Sequence, residues 1–331
     1  MKFLLSTSNS DMSNRFILAV CFIFLLLVGQ VLIARYVFKW NAQVTMLDTD
    51  LRSHTDILYF GDSIIKSSPD SDISHASIAE FLASLLSDKT VADVSQGAAD
   101  AKLFAAMTDY IARTADGKPQ AIIIPINLRS FSPQWYRRPV YQFERQKFIL
   151  RQPILLRYFF QPLAAFHTLK VPAISQDEFL NSPVYLGTST VGLVKDFEYL
   201  DTTSTTTDIH RQKFIYAYMS SIGNTSEELL ALEEALRIGK KAGIPIYVYI
   251  TPINYKNGAL FVGKDFIPRI EEDVRTICDH VTVLGDPCLN LAFSLGTENF
   301  DSTGYPSEHL NEDGRRYVAQ EVYAHFFKKT R

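Results

Sequence analysis

The stretch ILYFGDS, residues 57–63, changes character halfway along its length. Its first four residues are apolar and strand-forming, which is typical of a strand buried in a parallel sheet. Gly, Asp and Ser then favour a turn, because glycine tolerates unusual backbone angles and the two polar side chains bond to nearby backbone groups. The stretch therefore predicts either an ordinary turn or a serine presented at the end of a buried strand.

Helix and strand patterns alternate around this stretch. Helical spacing of apolar residues is found at 72–87, 98–114, 226–243, about 263–279 and from Asn311 to about Lys328. Strand patterns are found at 56–61, 91–95, 121–127, 244–254 and 281–284. This alternation predicts an α/β fold, a three-layer sandwich with a five-stranded, mostly parallel sheet.

The alternation is interrupted by a long insertion at 128–220. Between residues 129 and 170, eight basic residues accompany one acidic residue, Glu144, and aromatic residues are interleaved with them. Such a surface suits sugars, an anionic polymer or lipid headgroups. The alternative is a solvated insertion whose aromatic side chains complete the core. Trp135, Arg137 and Arg138 are our candidate substrate-binding residues.

Composition excludes some classes of protein. The chain has 331 residues, 47% of them hydrophobic, with 33 basic and 36 acidic side chains and a formal net charge of −3. This is enough for a substantial core and gives no signature of nucleic-acid binding. We find no metal-ligand spacing, Walker loop or dinucleotide fingerprint, so we predict no cofactor and no metal.

One segment is apolar throughout. Residues 16–34 contain 19 uncharged positions, flanked by basic residues on both sides. Roughly 20 apolar residues span a bilayer, whereas a cleaved signal peptide has a shorter apolar region and a small-residue cleavage site. We predict a tail at 1–15, a transmembrane signal anchor at 16–38, a linker at 39–54 and one domain at 55–331. This makes a single-pass protein of the inner (cytoplasmic) membrane with its domain on the exported side.

Two cysteines outside the predicted span lie ten residues apart. Cys278 and Cys288 could close a small loop in an oxidising compartment, or both could be buried free thiols. The sequence leaves both alternatives open.

Four polar or small residues follow the predicted strands or precede the last helix. Ser63 follows the first strand, Gly97 the second and Asn127 the third, and His309 precedes the final helix. Ligands of open parallel sheets bind outside the carboxyl ends of the strands. We therefore expect these four residues to lie together.

The segments around these residues resemble the blocks of the GDSL, or SGNH, hydrolases. The matching segments are GDSI (61–64), SQGAA (95–99), PINLRSF (125–131), in which Pro-Ile-Asn-Leu replaces the usual G-x-N-D, and EHLNEDG (308–314). The resemblance covers roughly residues 55–127 and 225–328 and leaves out the insertion. It implies that Ser63 is a nucleophile activated by His309. The backbone N–H groups of Ser63 and Gly97 and the amide of Asn127 would stabilise an oxyanion.

The acid of the triad is where the chain departs from the family. The family acid usually lies three residues before the histidine, and this chain has Pro306 there. Asp301 can serve if STGYPSE (302–308) loops out, so we take Asp301 as the acid. Glu308, adjacent to His309, is the alternative.

The apolar N-terminal segment and the NLRSF (127–131) and TPIN (251–254) variants look most like membrane-anchored, exported members of the family. Those members act with membrane-bound O-acyltransferases and include relatives of the D-alanine transfer protein of teichoic acid and exopolysaccharide O-acetyltransferases. The resemblance implies a serine O-acyltransferase or carboxylic ester hydrolase that moves a short acyl group on a cell-envelope or exported polysaccharide. Acetyl is the favoured acyl group. Its partners would be the membrane, the polysaccharide and a membrane-bound O-acyltransferase. The alternatives are a non-catalytic accessory that binds a glycan or a partner in an O-acylation complex, and a lipid esterase.

Overall fold

The computed structural model describes residues 8–36, 42–114, 117–152, 174–198, 205–302, 306 and 308–328. The chain is divided into two compact units. The first has residues 1–42 and 144–171, and the second has residues 43–143 and 172–331. The described helices are α1 (Ser8–Tyr36), α2 (Ala42–Arg52), α3 (Ser63–Lys66), α4 (Ile78–Leu85), α5 (Ala101–Arg113), α6 (Pro133–Tyr136), α7 (Glu144–Arg151), α8 (Gln176–Leu180), α9 (Val194–Glu198), α10 (Thr206–Tyr218), α11 (Glu227–Ala242), α12 (Tyr255–Val262), α13 (Phe266–Val283) and α14 (Glu312–Phe326). The strands are β1 (Ile57–Tyr59), β2 (Val91–Asp93), β3 (Ala121–Ile126), β4 (Pro183–Leu186), β5 (Ser189–Leu193), β6 (Ile246–Ile250) and β7 (Cys288–Asn290).

The first unit contains α1 and α7. Helix α1 has 29 residues, and apolar side chains along it are exposed, among them Phe16 at 71% and Leu18 at 69%. Within the described ranges, no helix meets the combined length and apolar character required to cross a membrane. The transmembrane anchor stays a prediction.

The second unit is built on a five-stranded sheet in the order β2-β1-β3-β6-β7, with every neighbouring pair parallel. This confirms the predicted α/β class and the parallel sheet. The chain runs from β1 outward to β2 and then returns to β3 on the other side of β1. That reversal opens a crevice at the carboxyl ends of β1 and β3, where ligands of such sheets bind.

Helices cover both faces of this sheet. Tyr59 of β1 belongs to the core cluster that α4 and α14 complete, while the next side chain, Phe60, has its ring 5.7 Å from that of Phe104 in α5. Successive side chains of a strand point to opposite faces, so these two contacts define two helical layers. Helix α11 packs beside α5 in the second of them. The three-layer arrangement is the one the alternating patterns predict.

Two predicted elements differ in the structure. The strand predicted at 281–284 is wrong, because residues 281–283 form the last turn of α13, whose buried face includes Ile277 and Val281. The fifth strand is β7 instead, seven residues later. The predicted linker at 39–54 contains α2, which forms because Leu47 and Leu51 lie one turn apart and are both buried.

A disulfide bond joins Cys278 of α13 to Cys288 of β7. It resolves the alternative that the sequence left open. The bridge ties the edge strand of the sheet to the helix that precedes it, within a loop of ten residues.

Candidate active site

The turn after β1 places Ser63 at the first residue of α3. Asp62 caps this helix, and its Oδ1 accepts a hydrogen bond of 2.9 Å from the Ile64 backbone N–H. Gly61 is required by close packing, since a Cβ at this position would lie 2.3 Å from Cγ1 of Ile65. The stretch therefore forms a turn, and this turn places a serine at the end of a buried strand.

Ser63, His309 and Asp301 lie together at this edge of the sheet. The Ser63 hydroxyl is 3.0 Å from Nε2 of His309, and Nδ1 of His309 is 3.5 Å from Oδ2 of Asp301. The His309 and Asp301 side chains are 29% and 26% exposed, so the site is open to small molecules. A hydroxyl on one ring nitrogen and a carboxylate near the other is the arrangement in which a serine loses its proton to histidine.

The backbone explains how Asp301 reaches His309 across the intervening residues. The Asp301 N–H donates to the His309 carbonyl at 3.0 Å, and Phe300 and Leu310 form an antiparallel bridge next to it. This pairing brings Asp301 next to His309 although seven residues separate them in the chain. The role of Asp301 as the acid stays a prediction.

Glu308, the alternative acid, has other partners. It is fully buried, its Oε2 lies 3.0 Å from Nη2 of Arg129, and its Oε1 accepts a hydrogen bond from the Tyr218 hydroxyl. Burial raises the pKa of the Glu308 carboxyl, and the Arg129 guanidinium opposes that rise. The structure places this carboxylate in a buried ion pair.

Asn127 follows β3 and lies beside the serine turn. Its Nδ2 donates to Oδ2 of Asp62 at 2.8 Å, and its Oδ1 accepts from the Arg129 backbone N–H at 3.0 Å. A side-chain amide nitrogen carries two hydrogens, so the bond to Asp62 leaves the second for an oxyanion. Asp62 therefore joins the serine turn to the asparagine as well as capping α3.

Gly97 lies in the loop between β2 and α5. The Gln96 N–H donates to the Gly61 carbonyl at 2.9 Å, which holds this loop against the serine turn. Gly97 is exposed, and a Cβ there would meet nothing within 4 Å.

Behind the loop, Glu228 accepts a hydrogen bond of 2.9 Å from the Ala101 N–H at the start of α5. Burial and the nearby Asp100 carboxylate raise the pKa of Glu228 to about 8.

A cavity of about 450 Å³ joins the insertion to the loop that precedes His309. It is lined by Arg129, Trp135, Arg138, Tyr141, Phe197, Glu198, Lys213, Tyr216, Ala217 and Pro306. Two of the predicted substrate-binding residues, Trp135 and Arg138, are in this lining, and Arg137 is not. A second cavity, of about 420 Å³, lies between α11 and α13 and contains none of the predicted site residues.

Aromatic and charged groups are packed tightly along one wall of the first cavity. The Arg129 guanidinium lies 4.2 Å from the centre of the Trp135 ring, and the Tyr141 ring lies 4.7 Å from it. Arg138 forms an ion pair with Glu198. These contacts fix the orientation of the insertion's side chains that line the cavity next to the segment before His309.

Sequence reasoning missed Arg129 and Tyr218 as residues of the site. Arg129 had a signal, since it lies two residues after Asn127 within the NLRSF segment. Tyr218 had none, because it is 90 residues from its partner Glu308. Only the folded chain brings these groups together.

Comparisons with known families and with curated proteins find no match to this chain. The resemblance to the GDSL hydrolases stays a prediction that rests on four short sequence blocks.

In the predicted triad, the Asp301 carboxylate orients His309 and stabilises its protonated form, so we expect Asp301→Asn to reduce the hydrolysis of p-nitrophenyl acetate by about tenfold to a hundredfold. The 3.5 Å separation and partial exposure make the effect smaller than in a tightly buried triad. Steady-state kinetics on the purified full-length protein measures this effect. Glu298→Gln, a carboxyl-to-amide change in the same segment, is the matched control. Asp301→Asn kinetics equal to those of the wild type would rule out this carboxylate as the orienting acid.

Proposed function

We propose that this protein is a serine O-acyltransferase or carboxylic ester hydrolase. It moves a short acyl group on a cell-envelope or exported polysaccharide, through an ester on Ser63. Acetyl is the favoured acyl group. The observation that carries the proposal is the hydrogen bond of 3.0 Å between Ser63 Oγ and His309 Nε2, with Asp301 on the opposite ring nitrogen. Asn127 lies at the same edge of the sheet.

The first half of the reaction forms the acyl-enzyme. Ser63 Oγ attacks the carbonyl carbon of the donor ester while its proton passes to Nε2 of His309. The negative charge on the carbonyl oxygen is stabilised by the Asn127 amide and by the backbone N–H groups of Ser63 and Gly97. The bond to the leaving alcohol then breaks, and His309 returns the proton to that alcohol.

The second half releases the acyl group by the same groups in reverse. A sugar hydroxyl or a water molecule gives its proton to His309 and attacks the ester carbonyl. The bond to Ser63 then breaks, and the proton returns to the serine oxygen. Transfer and hydrolysis differ only in which hydroxyl group reaches the ester, so acceptor binding next to Ser63 favours transfer.

The cavity beside the His309 loop supports a polysaccharide acceptor. It combines aromatic rings with hydrogen-bonding and charged groups, and its volume of about 450 Å³ suits one or two sugar residues. Trp135 and Arg138 are the predicted binding residues that line it. Pro306, on the loop before His309, forms part of the same lining, so an acceptor bound here lies close to the catalytic loop.

The location of the protein is part of the proposal. The 19 uncharged residues at 16–34 and the exposed apolar side chains of α1 support attachment to the inner membrane with the domain on the exported side. The disulfide between Cys278 and Cys288 supports an oxidising compartment. There a membrane-bound O-acyltransferase could supply the acyl group.

The second candidate is a non-catalytic accessory that binds the glycan. The observation that favours it is the cavity itself, which is lined by the insertion and needs no nucleophile to hold a ligand. Ester-linked acyl groups on the envelope polysaccharide of cells carrying wild-type or Ser63→Ala protein separate the two. Loss of acylation with Ser63→Ala supports the enzyme, and normal acylation supports the accessory.

We expect Arg138→Gln to lower acylation of the native polysaccharide about tenfold and to leave hydrolysis of p-nitrophenyl acetate within about twofold of the wild type, because only a large acceptor needs positioning. Arg137→Gln is the matched control, since this neighbouring arginine does not line the cavity. Acyl content of the purified polysaccharide and small-ester kinetics measure the two effects. Equal polysaccharide acylation by both variants would exclude Arg138 from acceptor binding.

A further inference from the structure

A buried ionic network lies directly behind the His309 loop. Glu308 is fully buried between the Arg129 guanidinium, at 3.0 Å, and the hydroxyl of Tyr218. The Arg129 side chain is only 10% exposed and also donates from Nη1 to the Pro306 carbonyl at 3.1 Å. Burial and the Glu308 carboxylate raise the pKa of Tyr218, so its hydroxyl stays protonated and donates.

The two groups that hold Glu308 come from the two ends of the insertion. Arg129 lies at the start of the segment 128–220, and Tyr218 is the last residue of α10, near its end. The backbone N–H of Arg129 also donates to the Asn127 side chain at 3.0 Å. One arginine therefore contacts the asparagine turn on one side and the loop before His309 on the other.

The geometry makes this network stiff. A planar guanidinium stacked 4.2 Å from the Trp135 ring centre keeps a fixed orientation. A buried carboxylate that loses its cation keeps an uncompensated charge, so the loop that carries it would rearrange to reach water. Glu308 precedes His309 in the chain, and any such rearrangement would move the His309 ring from its position 3.0 Å from Ser63.

We propose that Arg129 and Tyr218 are positioning residues that hold His309 against Ser63 through Glu308. The insertion then has a second role beyond acceptor binding, which is to complete the catalytic site from behind. This inference rests on the proposed acyl transfer. It differs from a purely stabilising role for the ion pair, because it requires the rate of Ser63 acylation to depend on these groups in a protein that remains folded.

The cavity offers a specific way to test the arginine. Arg129 is part of the cavity lining, so Arg129→Ala opens a space into which a free guanidinium ion can diffuse from solvent. An added ion can restore the charge opposite Glu308 without restoring the covalent link. Rescue of this kind reports on the position of the charge and not on overall stability.

The test measures kcat and KM of the full-length protein for p-nitrophenyl acetate, together with thermal unfolding. Arg129→Ala should lower kcat about a hundredfold with KM within about twofold, the cost of a small misplacement of a catalytic group. Guanidinium chloride at sub-denaturing concentration should raise the kcat of this variant at least about tenfold. Sodium chloride at equal ionic strength should not raise it.

Two further variants make the result decisive. Tyr218→Phe removes one oxygen atom and should lower kcat about tenfold, since it deletes a hydrogen bond to a charged group. Arg269→Ala is the matched control, because Arg269 lies 3.7 Å from the buried Asp273 on α13. It should lose stability and keep its kcat, and guanidinium should not change its rate.

The possible outcomes separate this inference from the proposed function. Wild-type kcat in Tyr218→Phe overturns the positioning role, even if Arg129→Ala fails to fold. A folded Arg129→Ala protein that keeps its kcat, or that guanidinium does not rescue, also overturns it. Absence of Ser63 acylation in the wild type overturns the proposed function, and this inference with it.

Discussion

Ser63→Ala is expected to lower the rate of ester hydrolysis by at least about 10³-fold, because it removes the only atom that forms the acyl bond in the proposed mechanism. The Ser63 hydroxyl is 3.0 Å from His309 Nε2, and removal of its oxygen leaves the cap of α3 by Asp62 intact. The variant should therefore fold normally. Steady-state hydrolysis of p-nitrophenyl acetate and thermal unfolding measure the two effects.

The chain contains a matched control for this substitution. The Ser68 hydroxyl is 2.9 Å from Nδ1 of His75, so a second serine–histidine pair lies at the exposed surface. Ser68→Ala should keep the wild-type rate. Equal losses in Ser63→Ala and Ser68→Ala, or no loss in either, would show that the hydrolysis does not use Ser63.

His309→Ala should lower the same rate by roughly 10²–10⁴-fold, the usual contribution of a general base. In the proposed mechanism, its Nε2 takes the serine proton. Its Nδ1 lies 3.5 Å from the Asp301 carboxylate, which would stabilise the protonated ring. His75→Ala is the matched control, since it removes the histidine of the surface pair. A His309→Ala protein that is folded and hydrolyses the ester at the wild-type rate would exclude His309 as the base.

The sequence predicts the parallel sheet and the edge that holds the candidate site, because those signals are local. Each central strand is a short apolar run, and the residues that follow it, such as Ser63 and Asn127, reach the same edge once the strands are parallel. The fifth strand was misplaced because Val281 and Val283 suit a strand in isolation, while the preceding apolar residues at helical spacing extend α13 through them. At these residues the packing of a longer helix overrides the local strand propensity.

The support behind the site could not be predicted in this way. The Arg129 guanidinium bonds to the Pro306 carbonyl across 177 residues, and Tyr218 reaches Glu308 across 90. No periodicity encodes such contacts, because they join residues that are far apart in the chain and meet only within the folded second unit. The sequence favours Asp301 over Glu308 as the acid, but the backbone pairing of Asp301 with His309 is visible only in the folded chain.

Mass spectrometry of the full-length protein after treatment with an activated acetyl ester shows whether Ser63 carries the acyl group. We expect one acetyl group on the peptide that contains Ser63, with no labelling in Ser63→Ala and full labelling in Ser68→Ala. Labelling that persists in a folded Ser63→Ala protein, or that maps to a different residue in the wild type, would contradict it.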